Sequence, residues 1–503
     1  MSYRIDHDTS ELKKRICRIN NIDEKMLDVS DFEVDYELEI LKEFRKQLLS
    51  DKDKRFFIVG DYDCDGICAT VIIKRLFEDL GIESNYYIPS RSKQGYGINN
   101  DIVKIAYDNG FKAIICVDNG AVAYEQMQYA KQLGLKTYII DHHEYEKKIE
   151  VDGFLHPDLF PDKYHDMCAG GLCCLLSNSF REDDLSSVYG GLATLADMVS
   201  VLNYNRYLLK NMIRILENKQ VYPIMYLLDG NKVSYDSLSY NVIPKINAVS
   251  RLEDMMNVNY VVRYLLDDSA SCMKYLNKIE EINVTRKDLT LQMSELAKRL
   301  ADETKDFMII RSEVFKEGLC GLIANRLLSQ YNRPILILAQ SDGILKGSGR
   351  APEGFDMFGY LNEIRDLFTA YGGHSQAVGL SMDADRFDEL EEFIETHPFD
   401  FKADDKDALY FKQEDLDNGL LEELKQMKPY GTGFKEPLLC IDGNYRKKYS
   451  IKGIYPKFIL NEKLEAISFN TALANREFTM MLGHLKPDNY HKGNLSFVIE
   501  DLI

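Results

Sequence analysis

The chain has 503 residues, too many for one hydrophobic core, and this length predicts two to four domains. Its formal net charge of −19 argues against a surface coated by nucleic acid, although a local basic groove remains compatible with that sum. No apolar stretch reaches the roughly 18 residues of a membrane helix, and the charged start MSYRIDHDTSELKKR lacks the apolar core of a signal peptide, so we expect a cytoplasmic protein without membrane contact.

From residue 55 onward the pattern predicts a parallel sheet. The apolar strands RFFIV, SNYYIP, KAIICV and KTYII alternate with helical segments, of which ICATVIIKRLFEDLG is the first. Continuous apolar strands alternating with helices are typical of a parallel sheet covered on both faces. Ligands bind such sheets beyond the carboxyl ends of the strands. The acidic motifs DYDCDG, DNG and DHH follow three of these strands, so we expect them to converge in space.

The first motif places Asp61, Asp63 and Asp65 at alternate positions, where each carboxylate makes the others costlier to ionise unless a cation neutralises them. The other candidate ligands are Asp118, His142 and Asp197. An oxygen-rich set with one imidazole suits Mn²⁺ or Mg²⁺ better than structural zinc. Five or six ligands are enough for two ions about 3.5–4 Å apart, the arrangement that supports phosphoryl transfer. Alone, each motif is more often a turn or a helix cap; their order on successive strands favours metal binding.

Farther along, residues 190–216 read as one helix with Asp197 inside an apolar segment, and residues 257–303 read as a helical connector. The runs DFMIIRSE and RPILILAQ restart a strand–helix pattern and predict a second α/β domain to about residue 398. After it, PLLCIDGNYRKKYS, FTMMLGHL and LSFVIEDLI are short strand-like runs separated by turns. They predict a small β domain.

The second α/β domain contains two motifs suited to anions. KGSGR carries Ser348 and Arg350, and YGGHSQAVG carries Gly373 and His374. Glycine permits close backbone approach to an anion, and arginine binds phosphate with two parallel hydrogen bonds. Each stretch alone would more often be a tight turn. Together they predict a phosphate clamp that closes over the metal site.

The most basic stretch of the chain is YRKKYSIKGIYPKF, residues 445–458, which interleaves cations such as Lys447, Lys448 and Lys452 with aromatic rings such as Tyr449. Cations for the backbone and aromatic faces for the bases are what sequence-independent binding of single strands requires. A solvated strand face with core aromatics is the alternative interpretation. A second candidate contact is SRSKQGYG, residues 90–97, with Arg91 near the catalytic strand ends.

The ordered set DYDCDG, VDNG, DHH and LADMV, followed by GSGR and GGHSQAVG, resembles the DHH phosphoesterase superfamily and, within it, RecJ-like exonucleases. The resemblance covers residues 50–503. It implies an α/β fold with a parallel-sheet DHH domain, a helical connector, a second α/β DHH-associated domain and a C-terminal OB-like β-barrel. The corresponding boundaries are an N-terminal extension at 1–48, followed by 49–235, 236–303, 304–398 and 399–503.

The resemblance also implies roles for the matching residues. Two ions, Mn²⁺ or Mg²⁺, would be held by Asp61, Asp63, Asp65, Asp118, His142 and Asp197. His143, beside Asp141, would touch the scissile phosphate or the attacking water. Phosphate and nucleic acid would be held by Ser348, Arg350, Gly373, His374, Arg251, Asn247 and Arg91, and by Lys447, Lys448 and Tyr449.

The activity implied is metal-dependent 5′→3′ exonuclease action on single-stranded DNA in repair and recombination, with release of 5′-mononucleotides. A single-strand-binding protein and a helicase are the expected partners. An alternative is a phosphodiesterase for short oligoribonucleotides or cyclic dinucleotides, and a third interpretation is a non-catalytic DNA-binding scaffold. The chain departs from the family pattern at Phe315-Lys316, at Ser250 and in GTGFKEP, which concerns strand grip rather than the metal ligands.

Overall fold

The computed structural model describes residues 2–30, 32–399, 405–451, 454–470, 473–474, 476–488, 491 and 493–503. The strands are β1 Tyr3–Asp6, β2 Phe56–Val59, β3 Ser84–Tyr87, β4 Ala113–Val117, β5 Lys136–Ile140, β6 Gly153–Leu155, β7 Met308–Ser312, β8 Ile335–Ser341, β9 Ile344–Arg350, β10 Ala370–His374, β11 Ala377–Asp383, β12 Lys406–Tyr410, β13 Leu438–Asp442, β14 Lys447–Ile451, β15 Tyr455–Ile459, β16 Leu464–Ile467, β17 Met480–Pro487 and β18 Leu495–Leu502.

The helices are α1 Leu12–Ile19, α2 Glu39–Ser50, α3 Cys64–Asp79, α4 Asn100–Asp108, α5 Tyr124–Gln132, α6 Ala169–Phe180, α7 Asp184–Ala196, α8 Asn203–Asn218, α9 Tyr222–Leu228, α10 Tyr235–Ser237, α11 Ile243–Arg251, α12 Asn259–Leu266, α13 Met273–Leu300, α14 Cys320–Tyr331, α15 Met357–Asn362, α16 Phe387–Thr396 and α17 Asn418–Gln426. None of the helices within the described ranges is long and apolar enough to cross a membrane.

The chain forms two compact units. The smaller comprises residues 1–33, 200–207 and 404–503, and the larger comprises residues 34–199 and 208–403. The boundaries predicted from the sequence differ from this division and stay predictions. The sequence offers no signal that its first residues belong with its last hundred, because that relation depends on strand pairing across about 400 residues.

The first sheet of the larger unit has the strand order β3-β2-β4-β5-β6, and all of its pairs are parallel. Strands β2 and β4 are buried at every position, as expected for strands covered by helices on both faces. The predicted parallel α/β sheet is therefore confirmed. Because β2, β4 and β5 are parallel neighbours, their carboxyl ends bring Asp61, Asp118 and Asp141 to one edge.

The single helix expected over residues 190–216 is two helices. Helix α7 ends at Ala196, Asp197 follows as its C-terminal cap, and Met198 adopts a left-handed φ of 56°. Helix α8 begins only at Asn203. No glycine or proline marks this break in the sequence, so helical periodicity alone could not reveal it. The break places the Asp197 carboxylate at a helix end instead of in the middle of a helical face.

The second sheet of the larger unit has the order β10-β11-β9-β8-β7, in which β7 and β8 are parallel and the other pairs antiparallel. Its register aligns His374 with Ala377 and Ala377 with Arg350. Ser348 lies opposite Gly379 on the same ladder. The two anion motifs therefore occupy strands on either side of β11, as neighbours in one sheet.

The smaller unit contains a mixed sheet with the order β1-β12-β13-β17-β18-β16-β15-β14. Strand β1 pairs in parallel with β12. In the part of the chain that the structure describes, the outermost strands β1 and β14 each pair with one neighbour only. The predicted C-terminal β domain is confirmed as a sheet, whereas its closure into an OB-like barrel stays a prediction.

A buried arginine ties together three segments of this unit. The Arg206 guanidinium donates to the carbonyls of Leu27, Pro429 and Met427 at 2.9, 3.0 and 2.6 Å. The same group lies over the fully buried ring of Phe434. Since α8 begins at residue 203, this side chain connects the start of that helix to both the N-terminal segment and the sheet region.

Candidate metal and phosphate site

The loop after β2 carries three aspartates with different local roles. Asp63 caps helix α3: its Oδ1 accepts hydrogen bonds from the backbone N–H groups of Asp65 and Gly66 at 2.9 and 3.1 Å. Asp61 lies directly against Gly66, where a Cβ would come within 2.6 Å of the Asp61 nitrogen. The helix-cap interpretation of this motif is therefore correct for one oxygen of Asp63, and the other carboxylate oxygens need a separate explanation.

Asp65 is almost fully buried and points at the start of another helix. Its carboxylate accepts from the N–H groups of Ala169 and Gly170, the first residues of α6, at 3.0 and 2.6 Å. A Cβ at Gly170 would collide with Ala193 and with Asp65, so only glycine allows this approach. The free N–H groups of a helix N-terminus favour negative charge, which fixes the orientation of the Asp65 carboxylate.

Asp118 follows β4 in a left-handed conformation with φ of 60°. Its neighbour Asn119 is buried and donates to the carbonyls of Val59 and Val117 at 3.0 and 2.9 Å, which ties the ends of β2 and β4 together. Asp118 is therefore held in a fixed position between the two strand ends.

His142 brings the carboxylates of separate segments into one cluster. Its Nε2 lies 3.3 Å from Asp118 Oδ1, 3.6 Å from Asp197 Oδ2 and 3.7 Å from Asp65 Oδ2. Among the described residues, three triads of possible ligand atoms have all their members within 4.8 Å of one another. The first triad is Asp61, Asp63 and Asp118, the second is Asp65, His142 and Asp197, and the third, Asp118, His142 and His143, shares a residue with each of the other two. Asp118 belongs to the first triad and contacts His142 of the second, so it occupies the position of a shared ligand.

Two buried oxygens test whether these residues fit a cation. Asp61 Oδ1 and Asp118 Oδ1 are inaccessible to solvent, and neither has a hydrogen-bond partner within the described ranges of the chain. Buried carboxylate oxygens without partners are costly unless a cation or a proton compensates them. The donor set, rich in oxygen with one imidazole nitrogen, is one that Mn²⁺ and Mg²⁺ accept. The residues therefore fit divalent ions.

The pKa values of the candidate ligands also indicate a site that suits a cation. Burial and the charge of Asp63 raise the pKa of Asp65 to about 7, and burial with the charges of Asp65 and Asp63 raises the pKa of Asp197 to about 8. The pKa values of Asp61 and Asp118 are raised well above the usual range, in each case mainly by burial and then by neighbouring aspartates. Burial also lowers the pKa of His142 to about 4, which keeps its imidazole neutral and able to ligate.

His143 is in the opposite electrostatic state. Burial acts against its charge, but the hydrogen bond from Nδ1 to Asp141 Oδ1, 2.8 Å long, and the Asp141 charge raise its pKa to about 9. Asp141 in turn accepts from the backbone N–H groups of Ala121 and His142, both at 2.8 Å. The adjacent histidines of the DHH motif are thus a neutral and a cationic imidazole at neutral pH.

Three arginines lie beside the acidic edge. Burial and then the charges of Arg91, Arg286 and Arg350 lower the pKa of Arg251 to about 9, so these positive charges act on one another. Arg91 stacks over the ring of Tyr62, 5.0 Å from its centroid, and Arg251 and Arg350 donate only to the carbonyls of Gly318 and Gly349. Among the described residues no carboxylate forms an ion pair with any of the three.

The other predicted contacts lie in several places. His374 is exposed and is the last of the groups that contribute to lowering the pKa of His142. Gly373 has a φ of 138° and lies so close to Ala377 that no Cβ fits there. Ser348 is partly buried on β9, and Asn247 has a buried Oδ1 without a hydrogen-bond partner among the described residues.

In the smaller unit, Lys447, Lys448 and Tyr449 are exposed on the edge strand β14. The Lys447 ammonium lies 5.9 Å from the Tyr449 ring centroid, and Lys457 forms an ion pair with Glu465. Lys452 lies outside the described residues. The exposed mixture of cations and an aromatic ring remains compatible with the predicted nucleic-acid contact.

Sequence reasoning missed two residues around His143. Tyr96 is 45% exposed, yet its hydroxyl donates to the Asp118 carbonyl at 2.9 Å and lies 3.0 Å from His143 Nδ1. His156 is buried, and its Nε2 lies 3.2 Å from the His143 carbonyl. The signal for His156 was present: it follows β6 as Asp141 follows β5, at the end of one more parallel strand.

The chain matches two family models. The DHH family N-terminal domain covers residues 55–196, and the DHHA1 domain covers residues 304–397. The first range contains five of the six predicted metal ligands, and the sixth, Asp197, directly follows it. The second range contains the GSGR and GGHSQAVG motifs. The matched ranges therefore resemble a DHH domain and a DHHA1 domain.

The chain is also similar to RecJ proteins. It is 26% identical over 475 residues to the single-stranded-DNA-specific exonuclease RecJ of Bacillus subtilis (strain 168), an alignment that covers 88% of this chain and 60% of the relative. It is 27% identical over 443 residues to RecJ of Escherichia coli (strain K12), covering 78% of this chain and 75% of the relative. The chain thus spans less than two thirds of the Bacillus protein's length.

Solved structures share the fold. RecJ of Thermus thermophilus in complex with Mn²⁺ aligns with a TM-score of 0.85 at 21% identity, covering 100% of this chain and 79% of that one. A crystal structure of exonuclease RecJ bound to manganese aligns with a TM-score of 0.63 at 24% identity, covering 74% of this chain and 97% of that one. At these identities the likeness establishes the architecture, and the chemistry has to be argued from this chain's own residues.

Proposed function

We propose that this protein is a metal-dependent exonuclease that degrades single-stranded DNA from the 5′ end and releases 5′-mononucleotides. The observation that carries the proposal is the meeting of two ligand triads, joined by Asp118 and His142, at one edge of the parallel sheet. The similarity to RecJ supports the substrate class, and the 5′→3′ direction rests on the family resemblance. Action in DNA repair and recombination in the cytoplasm, with a single-strand-binding protein and a helicase as partners, belongs to the same proposal.

The proposed cofactors are two ions, Mn²⁺ or Mg²⁺. Asp61, Asp63 and Asp118 would hold one ion, and Asp65, His142 and Asp197 the other. When bound, such ions supply an activated water and neutralise charge on the leaving oxygen of a phosphodiester. The neutral state of His142 and the two partnerless carboxylate oxygens support this assignment.

His143 is the proposed catalytic side chain next to that site. Its Nδ1 holds a proton against Asp141 Oδ1, while Nε2 makes no hydrogen bond to a carboxylate among the described residues and lies 3.3 Å from the Tyr96 hydroxyl. A cationic imidazole at this point places a positive charge beside a bound phosphate and can donate the Nε2 proton to an oxygen of the scissile group. Asp141 keeps the imidazole charged and fixes its orientation.

The arginine cluster is the proposed grip on the strand's phosphates. Arg91, Arg251 and Arg350 have unused donors and are close enough to repel one another, a state that an anion would relieve. Ser348 lies on β9, two residues before Arg350, and adds a hydroxyl. His374 lies on β10, on the other side of β11, and adds an imidazole. Gly373 allows the close backbone approach, and Asn247 has an unused buried acceptor on α11, the helix that ends with Arg251.

The exposed face of β14 is the proposed second contact with DNA, through Lys447, Lys448 and Tyr449. Stacking of one base on an aromatic side chain contributes about 1–3 kcal/mol without reading sequence. This contact would increase the number of nucleotides that the protein binds, and it would take no part in the chemistry.

The test uses single strands labelled at either the 5′ or the 3′ end, and duplexes of the same sequence, in Mn²⁺, Mg²⁺ or chelator. The expected first product is a labelled mononucleotide from the 5′-labelled single strand, with no cleavage in chelator. Asp118→Asn should be inactive, and Asp108→Asn, an exposed aspartate paired with Lys104, should be unaffected. A mononucleotide released first from the 3′ label would refute the direction. Hydrolysis confined to short oligoribonucleotides or cyclic dinucleotides would favour the alternative phosphodiesterase.

A further inference from the structure

A buried histidine lies behind the DHH motif. His156 follows strand β6 and is 3% exposed. The ladder between β5 and β6 continues past their ends, because the Asp141 N–H donates to the Leu155 carbonyl at 3.1 Å. This register sets His156 next to the segment that carries His142 and His143. His156 therefore follows the end of a parallel strand, as the acidic motifs do, but its strand is the next one toward the edge of the sheet.

Both ring nitrogens of His156 take part in hydrogen bonds. Nε2 lies 3.2 Å from the carbonyl oxygen of His143, a contact in which the nitrogen must donate. Nδ1 accepts from the Asp158 N–H at 3.3 Å, and the exposed Asp158 carboxylate lies 3.4 Å from the same atom. The ring stacks on Phe154 and meets Tyr145 edge-on, with centroids 5.8 and 4.8 Å away. Packing and hydrogen bonding together leave the imidazole one orientation.

The contacts of His156 help to fix the backbone of His143. Residues 142–148 have no regular secondary structure, so no ladder fixes their backbone beyond Asp141. The His143 N–H is held by Asp141 Oδ1 at 3.3 Å, and its carbonyl is held by His156. The two side chains therefore hold the His143 backbone from both sides, which settles where its imidazole points. A partly buried carbonyl that loses its donor would lose the hydrogen bond that holds it in place.

We propose that His156 is a positioning residue for the catalytic imidazole of His143, acting through the His143 main-chain carbonyl. The proposal rests on the proposed nuclease function and deepens it. A displacement of about 1 Å in a reacting group can cost on the order of 100-fold in rate. Residues that orient a site's direct contacts typically change activity by about 10–100-fold when replaced.

Three variants separate positioning from packing. His156→Phe keeps the flat ring between Phe154 and Tyr145 but removes both nitrogens. His156→Gln places an amide nitrogen near the position of Nε2 and restores the donor to the His143 carbonyl. Phe154→Leu is the matched control. It removes the aromatic ring that stacks on His156 and loosens the packing there, but it removes no hydrogen bond to His143. The thermal midpoint is measured for all three.

On single-stranded DNA with Mn²⁺, His156→Phe should lower kcat about 10–100-fold with KM within about twofold. His156→Gln should recover most of the kcat, and Phe154→Leu should keep it despite a lower thermal midpoint. Equal kcat in His156→Phe and wild type would overturn the proposal. So would an equal loss of kcat in Phe154→Leu, because packing alone would then explain the effect.

A second readout does not require activity. In metal-free protein labelled with ¹⁵N-histidine, the ring signals of the nine histidines are recorded, and the His143 signal is assigned with His143→Gln. The His143 ring signal should move in His156→Phe, return in His156→Gln and stay in place in Phe154→Leu. An unmoved signal in His156→Phe refutes the positioning role. An inactive wild type with the expected shifts would refute the nuclease proposal while leaving the placement of His143 by His156 supported.

Discussion

Asp197→Asn should stabilise the metal-free protein while removing its response to manganese. Asp197 caps the end of α7 and lies 3.6 Å from His142 Nε2, with Asp65 and Asp63 close enough to act on its charge. Burial and those two charges raise its pKa to about 8. Asparagine keeps the shape of the side chain and removes the charge that the folded state disfavours.

The magnitude follows from linkage. An aspartate that titrates near 3.9 in the unfolded chain and near 8 in the folded one destabilises folding by about 4 kcal/mol at pH 7 as an upper bound. Because the folded-state pKa is the higher one, this destabilisation is absent below about pH 4 and grows as the pH rises through about 8. Manganese at 100 times its Kd would return about 2.7 kcal/mol to the wild type.

The assay is thermal and urea unfolding of chelator-treated protein between pH 4 and 9, with and without Mn²⁺. Metal-free Asp197→Asn should unfold several degrees higher than the wild type at pH 8, and the difference should vanish near pH 4. With Mn²⁺ the wild type should gain far more than the variant. Asp108→Asn, on the exposed face of α4, serves as the control and should follow the wild type. A metal-free variant less stable than the wild type at pH 8 would refute the reasoning.

Arg350→Lys keeps the charge but loses the planar fork, so KM for single-stranded DNA should rise about tenfold with kcat within about twofold; an unchanged KM in steady-state assays would exclude Arg350 from the grip. Replacing Lys447 and Lys448 together by alanine removes two proposed phosphate contacts. In a binding titration, the plot of log association constant against log salt concentration should therefore become less steep by about 1.4. An identical slope would show that β14 does not contact the DNA. Arg206→Met leaves three backbone carbonyls without their donor and should lower the free energy of unfolding by about 3 kcal/mol in urea, with exposed Arg214→Met as control; a loss below about 1 kcal/mol would contradict its structural role.

The strands and helices around the acidic motifs were predictable because each has a strong local pattern. Strand β4 is an uninterrupted apolar run, and helix α3 follows an aspartate cap. The meeting of Asp61, Asp118 and Asp141 was predictable too, since parallel strands share one edge. What sequence pattern could not give was the grouping of Asp65, His142 and Asp197, because it depends on how Asp197 approaches from the end of α7.

Other features depended on tertiary structure from the outset. The break between α7 and α8 has no glycine or proline, so propensity favours one continuous helix. Strand β1 is only four residues long, and its partner β12 lies some 400 residues away, so no local rule connects them. A lone histidine such as His156 is usually a satisfied core side chain, and only the position of the His143 carbonyl distinguishes it.

The most direct measurement is anomalous diffraction from a crystal of this protein soaked in Mn²⁺. Two peaks are expected at the carboxyl edge of the parallel sheet, one among Asp61, Asp63 and Asp118 and the other among Asp65, His142 and Asp197. A soaked crystal with no peak at that edge, or with manganese bound only elsewhere, would contradict the account.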